Sequence, residues 1–208
     1  AWINNNVIQG TPNSTNCLVV LKPNGQPANG LSNTPNSPIT GGGILGSGFG
    51  VAIDKLGFIW SGSFGWGNNL PTSGSVAKLS SLGVPISPST GYTAGLLRVQ
   101  GTAVDQSNNI WMASYGNNAV VVYPNQTTVP ISYVDLNTEP FGMAITSDGY
   151  AWVTYTGTDT VSKLRYRNGG ISKLFTVTLP SGSNPKGVAV DSLGNAWVAA
   201  GASSTVYA

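Results

Sequence analysis

Gly187-Val-Ala-Val-Asp-Ser-Leu-Gly-Asn-Ala-Trp-Val198 is the stretch that decides the fold of this chain, because its pattern recurs. Further copies begin at Gly50, Gly101 and Gly142, each with an alanine two residues after the glycine and a tryptophan ten residues after it. In the copy that begins at Gly142, Thr146 stands where the other copies have aspartate. The copies are unequally spaced, so the pattern indicates an internal repeat whose loops differ in length.

The strands around this pattern are short and apolar on both faces. The repeat that begins at Gly101 has strand-forming segments at 101–105, 109–114, 119–124 and 128–133, rich in Val, Ile, Thr and aromatic residues. No stretch has apolar residues at helical spacing, which predicts an all-β fold. Sheets that are covered on both sides are typical of blades packed around an axis. We therefore predict a β-propeller of four-stranded blades, with the glycine-alanine strand nearest the axis and the tryptophan in the core.

The repeats predict one domain whose first and last blades are incomplete. We expect a single domain, 1–208, with five repeats at about 1–49, 50–100, 101–141, 142–186 and 187–208. The first repeat has no glycine-alanine strand before Trp2, and the last has no fourth strand after Val206. Three arrangements fit: part of a longer propeller, an open arc completed by another copy, or a ragged five-bladed ring. We expect self-association or contact with the remainder of a longer chain.

The composition limits the function classes. Only 8% of the 208 residues are charged, the net charge is +2 and histidine is absent. There is no basic run for nucleic acid and no apolar stretch of about 20 residues for a membrane span. A chain made soluble by Asn, Ser, Thr and Gly instead of charge is typical of secreted bacterial proteins, so we expect an extracytoplasmic location. The single cysteine, Cys17, excludes an internal disulfide.

The residues that depart from the repeat are the candidates for a ligand site. The repeat aspartates are interpreted as turn caps and the repeat tryptophans as core, because both recur in the same register. The departures fall on loops that lead into the first strand or out of the tryptophan strand, and these loops share one mouth of a propeller. A mouth of aromatic, amide and charged side chains suits a glycan or another neutral polar ligand. The candidates are Trp66, Arg98, Gln100, Tyr115, Asn117, Glu139, Tyr155 and Lys186.

The repeats resemble those of NHL-type and virginiamycin B lyase-like β-propellers. The resemblance lies in the Gly-x-Ala-[Val/Ile]-Asp-x-x-Gly-Asn-x-Trp-Val pattern and in Pro140 and Pro185, two residues ahead of the repeat glycine, and it covers nearly the whole chain. It implies the propeller fold but not one function, because such repeats serve lyases, lactonase-like enzymes and binding proteins. A lyase of this family would imply a catalytic histidine, a carboxylate and a divalent metal, and this chain has no histidine.

Two functions of different classes remain. The first is a non-enzymatic extracellular binding or self-assembly module that needs no cofactor, which the absence of histidine favours. The alternative is a metal-dependent lyase or lactonase-type enzyme with its site at the propeller axis. In that enzyme Glu139 and loop Asn or Asp oxygens would hold a hard cation such as calcium.

Overall fold

The structure is a computed structural model that describes residues 1–5, 16–31, 33–65 and 74–208. Two short 3₁₀ helices, Tyr115–Asn117 and Pro124–Gln126, are the only helices in that part of the chain. None is long and apolar enough to cross a membrane. The strands are β1 (Trp2–Asn4), β2 (Leu18–Val20), β3 (Ser47–Ile53), β4 (Ile59–Ser63), β5 (Ser75–Leu79), β6 (Val99–Val104), β7 (Ile110–Ser114), β8 (Ala119–Tyr123), β9 (Ile131–Val134), β10 (Pro140–Ile145), β11 (Ala151–Tyr155), β12 (Thr160–Arg167), β13 (Gly170–Thr178), β14 (Pro185–Val190), β15 (Ala196–Ala200) and β16 (Thr205–Tyr207).

These strands form five antiparallel sheets, which we number as blades 1 to 5 in chain order: β1-β2, β3-β4-β5, β6-β7-β8-β9, β10-β11-β12-β13 and β14-β15-β16. Neighbouring blades pack through their first strands, β1 on β3, β3 on β6, β6 on β10 and β10 on β14. No comparable contact joins β14 to β1 in the described part of the chain. The fold is therefore all-β, an incomplete β-propeller, as predicted. The last blade has three strands, and the first has two where three were predicted.

Blade 2 departs from the expected four strands. Its outer segment makes only single bridges, Val76 with Tyr92 and Leu79 with Pro85. Pro85 and Pro88 lie in this segment and lack the N–H group that a continuous ladder requires. The fourth strand of this blade is thus reduced to isolated contacts.

The repeat glycines let the first strands of adjacent blades approach closely. A Cβ atom at Gly50 would lie 2.0 Å from the backbone nitrogen of Thr102, and one at Gly142 would lie 2.0 Å from the carbonyl oxygen of Lys186. Neither glycine has a positive φ, so contact distance and not backbone conformation requires glycine here. At Gly187 the nearest atom to such a Cβ is the Cβ of Ala199, at 3.4 Å, because no blade follows in the structure.

The core consists of one apolar cluster at each interface between blades. Trp60 of blade 2 is fully buried against Met112 and Val121 of blade 3, and Trp111 of blade 3 is buried against blade 4 in the same way. Trp2 and Trp152 are partly buried in the remaining two clusters. The prediction that every repeat tryptophan lies in the core is wrong for Trp197, which is 47% exposed. The reason is that each tryptophan packs on the following blade, and none follows blade 5 in the structure.

The repeat aspartates join the turn after the first strand to the tryptophan. Oδ1 of Asp54 accepts hydrogen bonds from the backbone N–H groups of Leu56 (2.8 Å) and Phe58 (3.0 Å). Its Oδ2 accepts one from the indole Nε1 of Trp60 at 2.8 Å. The same indole bond is 2.9 Å long in blade 3 and 3.0 Å in blade 5.

In blade 5 these bonds lower the pKa of Asp191 from 3.8 to about 2, first through the indole of Trp197 and then through the side chain of Asn195. Because the folded-state pKa is depressed, the stabilisation by this group is present above its ordinary pKa. It is lost as the pH falls towards 2.

Blade 4 lacks the indole bond. Oγ1 of Thr146 accepts a hydrogen bond from the backbone N–H of Tyr150 at 2.9 Å and so keeps the turn. A threonine has one side-chain oxygen where an aspartate has two, and Nε1 of Trp152 is buried without a hydrogen-bond partner among the described residues. An unpaired buried donor of this kind lowers the free energy of unfolding by about 1–3 kcal/mol.

We expect Gly142→Ala to lower the free energy of unfolding by about 1–3 kcal/mol, because its Cβ meets the backbone of blade 5. The matched variant Gly187→Ala should change it by less than about 0.5 kcal/mol. Urea unfolding of both variants measures the difference. Equal losses would contradict the close approach of β10 and β14.

We expect the double variant Thr146→Asp/Asp148→Ser to raise the free energy of unfolding by about 1 kcal/mol. It gives Trp152 an acceptor and removes the neighbouring carboxylate, which reproduces the Asp105 and Ser107 arrangement of blade 3. As the control, Asp105→Thr should destabilise the protein, since it leaves Nε1 of Trp111 unpaired. A double variant no more stable than wild type would contradict this account.

Candidate functional site

The mouth of the propeller is built by a backbone clamp in each of blades 2 to 5. The residue that follows the tryptophan strand donates its N–H to the carbonyl of the residue that precedes the first strand of the same blade. The pairs are Phe64 to Gly46 at 2.8 Å, Tyr115 to Arg98 at 3.1 Å, Thr156 to Glu139 at 3.0 Å and Gly201 to Asn184 at 3.1 Å.

The acceptor residues of this clamp have an unusual backbone. Arg98, Glu139 and Asn184 have φ angles of 54°, 61° and 47°. Positive φ is uncommon for residues other than glycine, and it is especially so for long side chains. Strained residues of this kind concentrate at binding and catalytic sites, where the surrounding structure holds them in place.

Four aromatic rings form a row across the mouth. Phe64 lies 5.6 Å from Tyr115, Tyr115 lies 6.4 Å from Phe141, and Phe141 lies 5.0 Å from Phe49, measured between ring centroids. The rings come from blades 2, 3 and 4, so the row connects loops that are far apart in sequence. Phe64 and Phe141 are buried, Tyr115 is partly buried, and Phe49 is the exposed ring of the row.

Two cationic groups lie over this row. Cζ of Arg98 is 5.7 Å from the centroid of Phe64, and Nζ of Lys186 is 5.7 Å from the centroid of Phe141. Both are cation–π contacts. In the described part of the chain the one salt bridge joins Lys173 to Asp135, so neither cation at the mouth is paired with a carboxylate there.

Glu139 is the acidic group of the mouth. Its Oε2 accepts a hydrogen bond from Oγ1 of Thr156 at 3.0 Å. Burial raises the pKa of Tyr115, and a hydrogen bond with Glu139 raises it further. Tyr115 therefore stays protonated at neutral pH and acts as a hydrogen-bond donor towards the carboxylate.

A cavity of about 290 Å³ follows the axis below the rings. It is lined by the first strands of blades 2 to 5, including the repeat glycines Gly50, Gly101, Gly142 and Gly187. Phe49, Phe141 and Lys186 line it as well, so the cavity is continuous with the aromatic row. The first strands are thus nearest the axis, as predicted.

The structure brings together half of the predicted site residues. Arg98, Tyr115 and Glu139 meet at the mouth, and Lys186 joins them through Phe141. Asn117 is exposed on the neighbouring loop, where its Nδ2 donates to the carbonyl of Gly95 at 3.1 Å. Trp66 lies outside the described residues.

The predicted loop positions of Tyr155 and Gln100 are wrong. Tyr155 is the last residue of β11 and is fully buried between blades. Gln100 lies within β6 and is buried, with no hydrogen-bond partner for its Oε1 among the described residues. For Tyr155, a shift of one residue along the strand moves the side chain from the mouth into the core, because side chains alternate. Gln100 is buried although it stands at the same position of its repeat as Lys186. Lys186, also predicted on a loop, lies within β14, but its side chain is exposed.

Sequence reasoning missed Phe49, Phe64, Phe141 and Thr156, although a positional signal exists. Phe64, Tyr115 and Thr156 each stand four residues after the repeat tryptophan. Phe141 and Lys186 each directly precede the repeat glycine, as do Phe49 and Gln100. These two offsets select the four missed residues and replace Tyr155 by Thr156, although they also select the buried Gln100 and do not select Arg98 or Glu139.

The mouth does not fit the metal site that the resemblance implies. Among the described residues no group of three or more His, Cys, Asp or Glu side chains could hold an ion. The carboxylate of Glu139 is surrounded by hydroxyl groups and not by further anionic ligands.

The fold is shared with solved β-propellers. Virginiamycin B lyase from Staphylococcus aureus matches with a TM-score of 0.67 and 14% identity, over 93% of this chain and 62% of the lyase. A protein from Lactobacillus plantarum matches with a TM-score of 0.71 and 13% identity, over 99% of this chain and 60% of that protein. A gluconolactonase from Xanthomonas campestris matches with a TM-score of 0.61 and 15% identity, over 88% of this chain and 62% of that enzyme.

These identities establish the fold alone, and they confirm the predicted resemblance to virginiamycin B lyase-like propellers at that level. The chain spans 60–62% of the length of the three structures. No protein-family model matches the sequence, and no curated protein matches it.

We expect Glu139→Gln to lower the pKa of Tyr115 towards its ordinary value of 10.0, since the charged acceptor is lost. The pKa should stay above that value because burial, the larger cause, is unchanged. Phenolate absorbance during an alkaline titration measures the shift, and Tyr115→Phe identifies the contribution of this residue. A titration curve unchanged by Glu139→Gln would show that the two groups do not interact.

Proposed function

We propose that the mouth binds a small organic molecule that carries a ring and an anionic group, such as a sugar acid. The observation that carries the proposal is the placement of Arg98 and Lys186 over the rings of Phe64 and Phe141. Beside these two cations the aromatic row has the carboxylate of Glu139, which is already hydrogen-bonded to Thr156. The carboxylate of Asp159, on a neighbouring loop, accepts hydrogen bonds from the backbone N–H groups of Gly182 and Asn184. This balance favours an anionic ligand over the neutral glycan expected from the sequence.

The shape of the mouth supports the same class of ligand. Aromatic faces pack against the C–H groups of a sugar ring, while a few polar groups fix its orientation. The exposed ring of Phe49 and the partly buried ring of Tyr115 supply the faces, and the buried rings of Phe64 and Phe141 support them. The cavity of about 290 Å³ is at the small end for a ligand pocket, which favours a single ring.

Titration calorimetry with glucuronate, and with glucose as the neutral control, tests this proposal. We expect glucuronate to bind more tightly, and Arg98→Gln or Lys186→Gln to weaken it about tenfold, since a hydrogen bond to a charged group contributes about 1.5–3 kcal/mol. Arg167→Gln, at an exposed position of β12, is the matched control and should bind like wild type. Equal affinity for both sugars, or no effect of Arg98→Gln, would refute the proposal.

A second candidate function is catalysis at the same mouth, of the lactonase or lyase type. The comparisons favour this reading over a non-enzymatic module, because two of the matched structures are named as a gluconolactonase and a lyase. Glu139 is the carboxylate beside the aromatic row, where the hydroxyl group of Thr156 donates to it and Tyr115 lies next to it. In this reading its carboxylate accepts a proton from an attacking water or from the ligand.

Hydrolysis of a δ-lactone, followed by acid release at constant pH, separates the two readings. Catalysis predicts turnover that Glu139→Gln abolishes and that Tyr115→Phe reduces, with glucuronate binding by Tyr115→Phe largely kept. Turnover no faster than the buffer reaction would favour the binding module.

Self-association is a further part of the module hypothesis. The exposed side chains of Trp197 and Val206 support it, since the equivalent Trp111 and Val120 are buried. Such surface favours association with another protein surface. The extracytoplasmic location stays a prediction from composition.

A further inference from the structure

A second cavity, of about 230 Å³, lies between blades 3 and 4, at the opposite end of their first strands from the mouth. We call it the turn groove. It is lined by the turns that follow β6 and β10, and β12 adds the partly exposed side chain of Tyr166. Blades 3 and 4 each have four strands and a neighbour on either side, so the groove does not depend on where the chain begins or ends.

Two features of the turn groove depart from the repeat. Asp148 stands where blades 2, 3 and 5 have Leu56, Ser107 and Leu193. Tyr166 lies beyond the point at which the equivalent strand of blade 3 ends, because β12 has eight residues and β8 has five. The longer hairpin of blade 4 thus brings an aromatic side chain beside the turn of blade 3.

The polar groups of the turn groove leave hydrogen-bond acceptors unused. Nε2 of Gln106 donates to the carbonyl oxygen of Thr146 at 2.8 Å, while its Oε1 lies beside Gly149 without a donor in the described part of the chain. One carboxylate oxygen of Asp148 accepts from the hydroxyl group of Thr146, and the other has no partner among the described residues. None of the described residues that line the groove is basic. The groove therefore suits a ligand that donates hydrogen bonds and carries positive charge.

The free acceptors suit an ammonium group better than a metal ion. The buried carboxylate of Asp105 already accepts four hydrogen bonds, from two backbone N–H groups, the side chain of Asn109 and the indole of Trp111. Asp148 is then the only carboxylate of the groove with a free oxygen, whereas calcium takes about six to eight oxygen ligands. An ammonium group has about three donors and needs no second anion.

An ammonium group already occupies the corresponding position between blades 2 and 3. Nζ of Lys55, in the turn of blade 2, donates to the carbonyl oxygen of Gln106 in the turn of blade 3. Lys55, Gln106 and Ser147 each follow the first residue of the repeat turn, so Gln106 is the counterpart of Lys55 at the next interface. Gln106 is neutral and reaches Thr146 instead, which leaves the position beside Ser147 without an ammonium group from the chain.

We propose that the turn groove binds the ammonium group of a small hydroxylated ligand, such as an amino sugar. Asp148, Oε1 of Gln106 and the carbonyl oxygen of Ser147 accept hydrogen bonds from the ammonium group, and the carboxylate adds charge to that contact. Tyr166 packs against the C–H groups of the ring. The volume of about 230 Å³ suits one ring. This site is additional to the mouth, and the two differ in the sign of the charge that they bind.

An NMR titration of ¹⁵N-labelled protein with glucosamine, below the pKa of its amine, tests the proposal. N-acetylglucosamine is the uncharged control. We expect glucosamine to shift the backbone amide resonances of residues 147–149 and the side-chain amide of Gln106, and N-acetylglucosamine to leave them unchanged. Asp148→Asn should weaken glucosamine binding about fivefold, because the contact with an exposed carboxylate is lost.

An added lysine gives an independent test. Gln106→Lys copies Lys55 into the next interface, so its own ammonium group should occupy the turn groove and abolish glucosamine binding. Ser192→Lys adds the same charge at the equivalent exposed position of blade 5 and should bind glucosamine like wild type. Circular dichroism confirms that each variant is folded.

Equal shifts with glucosamine and N-acetylglucosamine would overturn the proposal, because the ammonium group would then not be recognised. Unchanged glucosamine binding by Asp148→Asn or by Gln106→Lys would contradict it as well. Displacement of glucosamine by calcium chloride, with shifts of the same resonances, would identify a metal ion as the occupant. Glucuronate binding and Arg98→Gln report on the mouth, so failure of one site is distinguishable from failure of the other.

Discussion

Each blade of this protein completes its core with the blade that follows it, and the rest of the structure depends on that constraint. A single sheet of three or four short strands buries neither face by itself. One tryptophan takes part in the apolar cluster at each interface, and the repeat glycine lets the first strands of adjacent blades approach closely. Stability is then a sum of contacts between neighbours, as in other repeat proteins.

The repeat aspartate and the repeat tryptophan contribute separately to this packing of one blade on the next. In blades 2, 3 and 5 the carboxylate holds both the turn and the indole. Blade 4 keeps the turn through Thr146 and keeps its tryptophan in the interface, although the indole nitrogen is unpaired. Packing on the next blade therefore positions the ring, and the hydrogen bond adds to that packing without being required for it.

The sequence predicts the features that recur in every repeat, but it does not predict those that depend on contacts with a neighbouring blade. The recurring Gly-x-Ala and Trp pattern is sufficient to predict the blades, the order of their strands and the positions of the glycines. The burial of Trp197 could not be predicted from its register, because burial belongs to the interface and not to the residue. Tyr155 was misplaced by one position, since loop lengths vary and strand ends are not marked in the sequence. The row from Phe64 to Phe49 joins three blades through side chains that share no local pattern.

The mouth draws its side chains from several blades, because the first strands of blades 2 to 5 line the same cavity. Phe64 of blade 2 lies at one end of the mouth, and Lys186 of blade 5 lies at the other. Phe49 and Phe141 touch across the first strand of blade 3, which ties the positions of blades 2 and 4 to each other and so fixes the curvature around the cavity.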